Sequence, residues 1–140
     1  MLSVAIYYVV LLITVGIAVW KGGQPERRAA YVALIASIMT SAVTPFPTWT
    51  NIETSIFVID VTVLLSFWYI AWHSDRFWPY WITGWQLIGI FGHIQKFMFV
   101  EILARPYSLL TIYIAYPMLL VIVYASLTAG RRKQSAPAIA

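Results

Sequence analysis

The chain has 140 residues, of which 61% are hydrophobic and 10% are charged, and its mean hydropathy is +0.81. Soluble domains are roughly 45–50% apolar and about 25% charged, so this chain has too few charges to cover an apolar core with a solvated surface. The composition therefore excludes an ordinary soluble domain and predicts that lipid is the solvent. The absence of cysteine excludes a disulfide scaffold, a thiolate nucleophile and iron–sulfur clusters.

Five apolar runs are long enough to cross a hydrocarbon core of about 30 Å. They are Leu2–Trp20, Ala29–Phe46, Ile52–Trp72, Pro79–Phe97 and Tyr107–Leu127. The first run lacks a positively charged start and a small-residue cleavage site, so we predict a retained helix and not a signal peptide. The sequence thus predicts an all-α bundle of five transmembrane helices. A four-span bundle is the alternative, because Lys96 and Glu101 interrupt the fourth run.

Charged or proline-containing segments separate these runs. They are Lys21–Arg28, Pro45-Phe-Pro47, Ser74–Pro79 and Ala104-Arg-Pro106. The proline of the last two segments suits the first turn of the following helix, where its missing N–H costs nothing. Residues 1–130 are therefore predicted to form one transmembrane domain, and residues 131–140 a short, basic, disordered cytoplasmic tail.

The positions of Lys and Arg predict the orientation, because short cytoplasmic loops carry the excess of these residues. In the five-span arrangement, one side of the membrane holds Lys21, Arg27, Arg28, Arg76, Arg131, Arg132 and Lys133. The other side holds only Lys96 and Arg105. This asymmetry predicts an outside N-terminus and a cytoplasmic C-terminus. It also accounts for the net charge of +4 through contact with anionic lipid, so the charge does not indicate a nucleic-acid partner.

Ionisable residues at membrane depth are energetically costly, and Asp60 and His93 are the candidates. With a rise of about 1.5 Å per residue, Asp60 lies roughly 12 Å and His93 roughly 9 Å below the outer face, on consecutive antiparallel helices. We therefore predict that the two side chains pair across the third and fourth helices. The alternative is that Asp60 satisfies a backbone or hydroxyl group and has only a packing role.

Further polar residues are predicted to share this outer half of the bundle. Gln86, Gly89, His93 and Lys96 recur at spacings of three and four, which places them on one stripe of the fourth helix. On the second helix, Ala33, Ser37 and Ser41 form a row of small residues typical of a close helix contact. The predicted ligand or proton site consists of Asp60, His93, Gln86, Lys96, Thr40, Ser41 and Tyr113. A histidine beside a carboxylate is suited to exchanging a proton near neutral pH.

The sequence carries no recognisable catalytic or metal-ligand spacing, which favours a non-enzymatic protein without a cofactor. A haem held by two histidines is disfavoured, because His73 lies at the inner edge and His93 in the outer half. We predict an accessory or assembly subunit of a larger membrane complex, with lipid and other membrane subunits or a second copy as partners. The alternatives are a proton-linked transporter and a protein that binds a small ligand such as a quinone, sterol or tetrapyrrole.

The segment Ser74-Asp-Arg-Phe-Trp-Pro-Tyr-Trp81, with Asp60 before it and Gln86 and His93 after it, resembles a family of small bacterial inner-membrane proteins. The resemblance extends roughly from Lys21 to Leu127 and includes Tyr116-Pro-Met-Leu-Leu120. It implies a bacterial inner membrane and implies no function. The chain is also similar to the tryptophan-rich TspO sensory proteins in span number, tryptophan content and length. It lacks their Trp-x-Pro-Pro signature, so no tetrapyrrole-binding residue is carried over.

Overall fold

The computed structural model describes residues 2–43, 49–98 and 104–135, and this part of the chain is helical, without a strand. The prediction of an all-α fold is therefore confirmed. The five helices are α1 (Leu2–Lys21), α2 (Gln24–Val43), α3 (Trp49–Trp72), α4 (Trp78–Met98) and α5 (Ala104–Ser135). The predicted break at Pro45-Phe-Pro47 lies outside the described residues.

The connection between α1 and α2 is much shorter than the sequence predicts. The charged segment Lys21–Arg28 was expected to be a turn, yet α2 already begins at Gln24. Glu26, Arg27 and Arg28 therefore lie at the start of α2, where the Glu26 Oε2 atom accepts a hydrogen bond from the Gly23 backbone N at 2.9 Å. A glutamate in the first turn that caps the preceding N–H is a recurrent N-terminal arrangement. A side chain at Gly22 would overlap the Ala18 backbone oxygen, so this tight turn requires glycine.

The other helices begin close to their predicted positions, and α5 ends later than predicted. The α3 and α4 helices are joined by residues 73–77, and Pro79 lies in the first turn of α4 as expected. The α5 helix has 32 residues, includes Pro117 and continues through Arg131 to Ser135. The first half of the predicted disordered tail is therefore helical, whereas residues 136–140 lie outside the described part.

The helices form a closed ring, because each packs against the next in the chain and α5 packs against α1 as well as α4. We call the end of the bundle where α1 begins the proximal end, and the end where α1 and α5 finish the distal end. Gly130 of α5 faces Lys21 of α1 at the distal end, where an added Cβ atom would lie 3.2 Å from the Lys21 Cβ atom. This close approach joins the last helix to the first.

The apolar core fills the distal half of the ring. Phe67 of α3, Ile82 of α4 and Ile122 of α5 are each almost fully buried there, against small residues of α1 and α2. Those small residues are Ala18, Ala29 and Ala30. Alanine at these positions lets the helix backbones approach closely, which is the usual way in which helices pack in a membrane.

A buried ion pair also holds the distal end together. Glu26 is 0% exposed, and its Oε1 atom accepts a hydrogen bond from the Arg76 Nη1 atom at 3.1 Å. Because Glu26 also binds the Gly23 N–H, one carboxylate connects the α1–α2 turn with the loop between α3 and α4. This contact is not predicted from the sequence, because Glu26 and Arg76 belong to two separate segments that are both expected to be solvated loops.

Three helices contain segments that are long and apolar enough to cross a membrane. These segments are Val4–Lys21, Thr54–Trp72 and Tyr113–Arg131. The α2 and α4 helices do not meet this standard. Charged residues at the start of α2, and Gln86 and His93 within α4, reduce their apolar character. Large apolar side chains such as Leu65 and Leu120, 63% and 65% exposed, cover the outside of the ring, as expected for contact with lipid.

Candidate functional site

A cavity of about 640 Å³ lies inside the proximal half of the ring, and all five helices contribute to its wall. Apolar side chains make up most of the lining, including Val63, Phe67 and Met118. The polar side chains in the lining are Tyr7, Tyr8, Ser37, Thr40, Ser41, Asp60, Gln86 and His93. A cavity of this size and composition, apolar with a few convergent polar groups, is typical of a site for a small molecule.

The α3–α4 side of the cavity carries a hydrogen-bonded cluster around Asp60. The His93 Nε2 atom lies 2.7 Å from the Asp60 Oδ2 atom. The Gln86 Nε2 atom donates to both the Asp60 Oδ1 atom and the Asp60 backbone oxygen, at 3.2 Å each. Gln86 and His93 lie seven residues, or about two turns, apart on α4, so both face α3. The carboxylate is thus held at both oxygens by residues of the neighbouring helix.

Burial differs within this cluster in a way that matters for binding. Gln86 and His93 are 5% and 4% exposed, whereas the Asp60 side chain is 25% exposed and lines the cavity. The amide and the imidazole therefore fix the orientation of the carboxylate, and the carboxylate itself stays accessible. A carboxylate accepts about four hydrogen bonds, so Asp60 retains capacity to bind a donor from a ligand.

The α1–α2 side of the cavity carries a second polar cluster, formed by hydroxyl groups. The Ser37 hydroxyl donates to the Ala33 backbone oxygen at 2.8 Å, so the Tyr7 hydroxyl is the donor in its 2.7 Å bond to Ser37 Oγ. The Tyr8 hydroxyl donates to the Ser37 backbone oxygen at 3.1 Å and therefore accepts from the Ser41 hydroxyl. The two phenol oxygens keep lone pairs that a ligand in the cavity can use.

The structure brings most of the predicted site residues to one cavity. Asp60 and His93 form the expected pair, Gln86 binds Asp60, and Thr40 and Ser41 line the same space. Lys96 belongs to α4, but its side chain lies outside the described part. Tyr113 does not belong to the wall, because it is 65% exposed on the outside of α5 while the next residues, 114 and 115, face the cavity. One residue along a helix rotates the side chain by about 100°.

Tyr7 and Tyr8 are not among the site residues predicted from the sequence, and Ser37 was expected to serve helix packing only. The signal was weak, since tyrosines in an apolar run near a chain end are more often interfacial anchors. The spacing of four between Ser37 and Ser41 was the one available indication that a polar stripe of α2 faces α1. Packing and polar contact coincide here, because Ser37 is both a small residue and a hydrogen-bond partner of Tyr7.

The two histidines lie at opposite ends of the bundle. His73 is exposed at the distal end, where its Nδ1 atom lies 2.9 Å from the Tyr69 backbone oxygen. Within residues 2–43, 49–98 and 104–135, no three His, Asp or Glu side chains come together as metal ligands do.

In comparisons with known proteins, no family model, no curated sequence and no solved structure matches this chain. Among the lining side chains that the structure describes, Asp60 is the only acid and none is lysine or arginine. The described wall thus offers a hydrogen-bond acceptor at Asp60 and no cationic side chain, which favours an uncharged or cationic molecule.

Proposed function

We propose that the chain is a non-enzymatic integral membrane protein that binds one small, mainly apolar molecule between its five helices. The observation that carries this proposal is the 640 Å³ cavity with the Asp60 carboxylate held in its wall by His93 and Gln86. Ligand sites in proteins have volumes of roughly 300–1,000 Å³ and combine apolar walls with a few polar groups that fix orientation.

The two polar clusters define the ligand further. A hydroxyl or amine on the ligand would donate to Asp60, and the phenol oxygens of Tyr7 and Tyr8 would accept from a second donor. Between them the ligand body would contact apolar side chains such as Val63 and Met118. Of the classes considered from the sequence, a reduced quinone, with a hydroxyl on each side of its ring, meets both requirements, whereas a sterol, with a single hydroxyl, meets only one. A tetrapyrrole carrying carboxylates is disfavoured, because no lysine or arginine is among the described lining residues.

We further propose that all five helices cross a bacterial inner membrane, with the N-terminus outside and the C-terminus in the cytoplasm. The ring supports this, because α2 and α4, 20 and 21 residues long, pack between helices that are apolar enough to span. Helices of this length extend about 30 Å, which matches the hydrocarbon core. The basic residues of the distal end then face the cytoplasm.

Single cysteines test this orientation, because the natural chain has none and gives no background. In intact cells, we expect a membrane-impermeant maleimide to label Thr50→Cys, near the proximal end. It should label Ser74→Cys and Ser135→Cys, at the distal end, only after the membrane is permeabilised. The cysteine-free parent protein is the control. Labelling of Thr50→Cys only after permeabilisation would reverse the proposed orientation.

Filling the cavity tests the binding function. Gly89 lines the cavity, and Gly84 lies on the same helix but on an exposed surface; an added Cβ atom meets nothing within 4 Å at either position. We expect Gly89→Leu to reduce the amount of co-purified small molecule at least about tenfold, because steric overlap of this kind costs about 1–3 kcal/mol. The matched Gly84→Leu variant should retain it at the wild-type level.

Native mass spectrometry after mild solubilisation from the source membrane provides the measurement. An added small mass on the wild-type chain and on Gly84→Leu, absent from Gly89→Leu, would support the proposal. Equal retention by both variants would place the molecule outside the cavity and contradict it. Protein partners at fixed stoichiometry without any small mass would instead support the accessory subunit predicted from the sequence.

A further inference from the structure

A second recess lies on the outside of the ring, in the groove between α2 and α3. It has a volume of about 520 Å³ and is separate from the internal cavity, with which it shares no lining residue. The α2 side of the groove runs from Arg28 to Ile35, and the α3 side from Ile70 back to Thr62. Eight residues of α2 and nine of α3 correspond to a groove about 10–12 Å long, parallel to the helix axes.

The groove is polar at one end and apolar along its length. Arg28, Tyr31 and Tyr69 lie at its distal end, and Val32, Ile35 and Leu65 continue toward the middle of the bundle. Thr62 and Ser66 also line the groove. Each of their hydroxyl groups donates to a backbone oxygen of α3 itself at 2.8 Å, so the groove stays mainly apolar along its length. The floor therefore offers a surface that suits a hydrocarbon chain.

The polar end lies at the level of the membrane surface. Tyr69 is three residues from Trp72, where the apolar segment Thr54–Trp72 ends. Tyrosine and tryptophan concentrate at this level, and arginine there reaches the phosphate groups of the lipids. Arg28 makes one long hydrogen bond, from its Nη2 atom to Gln24 Oε1 at 3.4 Å, which leaves most of its five N–H groups for another acceptor.

The charges around this end favour an anion. Lys21 and Arg27 are exposed nearby, and the charge of Glu26 is buried and neutralised by Arg76. Asp75, in the loop between α3 and α4, is the one exposed acid at this end among the residues described. We propose that the groove binds one anionic glycerophospholipid, with its phosphate on Arg28 and one acyl chain between α2 and α3. This inference rests on α3 crossing the bilayer and does not depend on any ligand in the cavity.

Arg27 provides a matched control for Arg28, because it is the neighbouring exposed arginine and does not line the groove. The purified protein would be titrated with phosphatidylglycerol in detergent and the bound lipids counted by native mass spectrometry. We expect Arg28→Gln to weaken binding of the first phosphatidylglycerol about tenfold or more, since an arginine–phosphate contact is charge-assisted. Arg27→Gln should change the affinity for the first phosphatidylglycerol less than twofold. Phosphatidylcholine should bind equally to the wild type and to both variants.

Glycerol phosphate, which has the anionic headgroup but no acyl chain, distinguishes a lipid from a free phosphate. If the groove holds an acyl chain, glycerol phosphate should compete only at concentrations more than a hundredfold higher. Competition at equal concentrations would overturn the assignment to a lipid. Equal weakening by Arg27→Gln and Arg28→Gln would show a diffuse basic surface and would also overturn it, as would unchanged binding to Arg28→Gln.

Discussion

Replacing Glu26 by alanine is expected to lower the free energy of unfolding by about 3 kcal/mol. The substitution removes two hydrogen bonds to a fully buried carboxylate, one from Arg76 and one from the Gly23 backbone N. Hydrogen bonds to charged groups contribute about 1.5–3 kcal/mol each, and breaking a buried ion pair costs about 3–5 kcal/mol. The lower end of that range applies, because the Arg76 side chain is 32% exposed and regains contact with water.

The measurement is chemical unfolding in mixed micelles, followed by tryptophan fluorescence. Arg27→Ala is the control, since it removes an exposed charge from the next position and is expected to change stability by less than about 0.5 kcal/mol. The double variant Glu26→Ala with Arg76→Ala should be less destabilised than the sum of the two single variants. Equal stability of Glu26→Ala and Arg27→Ala would show that the distal ion pair does not hold the loops together.

Replacing Asp60 by asparagine is expected to weaken retention of the proposed ligand by about ten- to a hundredfold. The substitution keeps the shape of the side chain but removes the charged acceptor that faces the cavity, and such an interaction is worth about 1.5–3 kcal/mol. Asp75→Asn provides the matched control, because Asp75 is exposed in the α3–α4 loop at the other end of the bundle. Occupancy of the co-purified molecule, measured by native mass spectrometry, is the readout.

The pairing of Asp60 with His93 is tested independently of any ligand. Exchanging the two residues, as Asp60→His with His93→Asp, places the same groups across the same helix contact. We expect the exchanged variant to express in the membrane better than either single substitution, because each single change leaves a polar group at membrane depth without its partner. Failure of the exchanged variant to recover expression would contradict a stabilising role for the pair.

The Asp60–His93 contact was predictable from the sequence, because the two residues share a depth and His93 lies on the polar stripe of the fourth helix. A fixed rise per residue and antiparallel helices place both residues at one level, and few other ionisable groups compete for either partner. The rotation of each helix about its axis is harder to predict. Tyr113 has the expected depth but faces outward, since α5 is apolar on all sides and gives no periodic signal for its inner face.

The start of α2 illustrates a different difficulty. A run of charged residues such as Lys21–Arg28 predicts a solvated turn when exposure to lipid is the only criterion. Glu26 instead caps its own helix and binds Arg76, which is 50 residues away in the chain. Such a contact depends on how the ring closes, and composition within one segment carries no information about it.

The distribution of the polar groups has a consequence for the biogenesis of the protein. The hydroxyl cluster of Tyr7, Tyr8, Ser37 and Ser41 belongs entirely to the first two helices, and the Asp60 cluster belongs entirely to the next two. If the chain enters the bilayer as consecutive helical hairpins, each hairpin forms its own polar cluster before the bundle assembles. The fifth helix, whose lining residues are apolar, then closes the ring over two clusters that are already hydrogen-bonded, and of the ion pairs among the described residues only Glu26–Arg76 has to form between the hairpins.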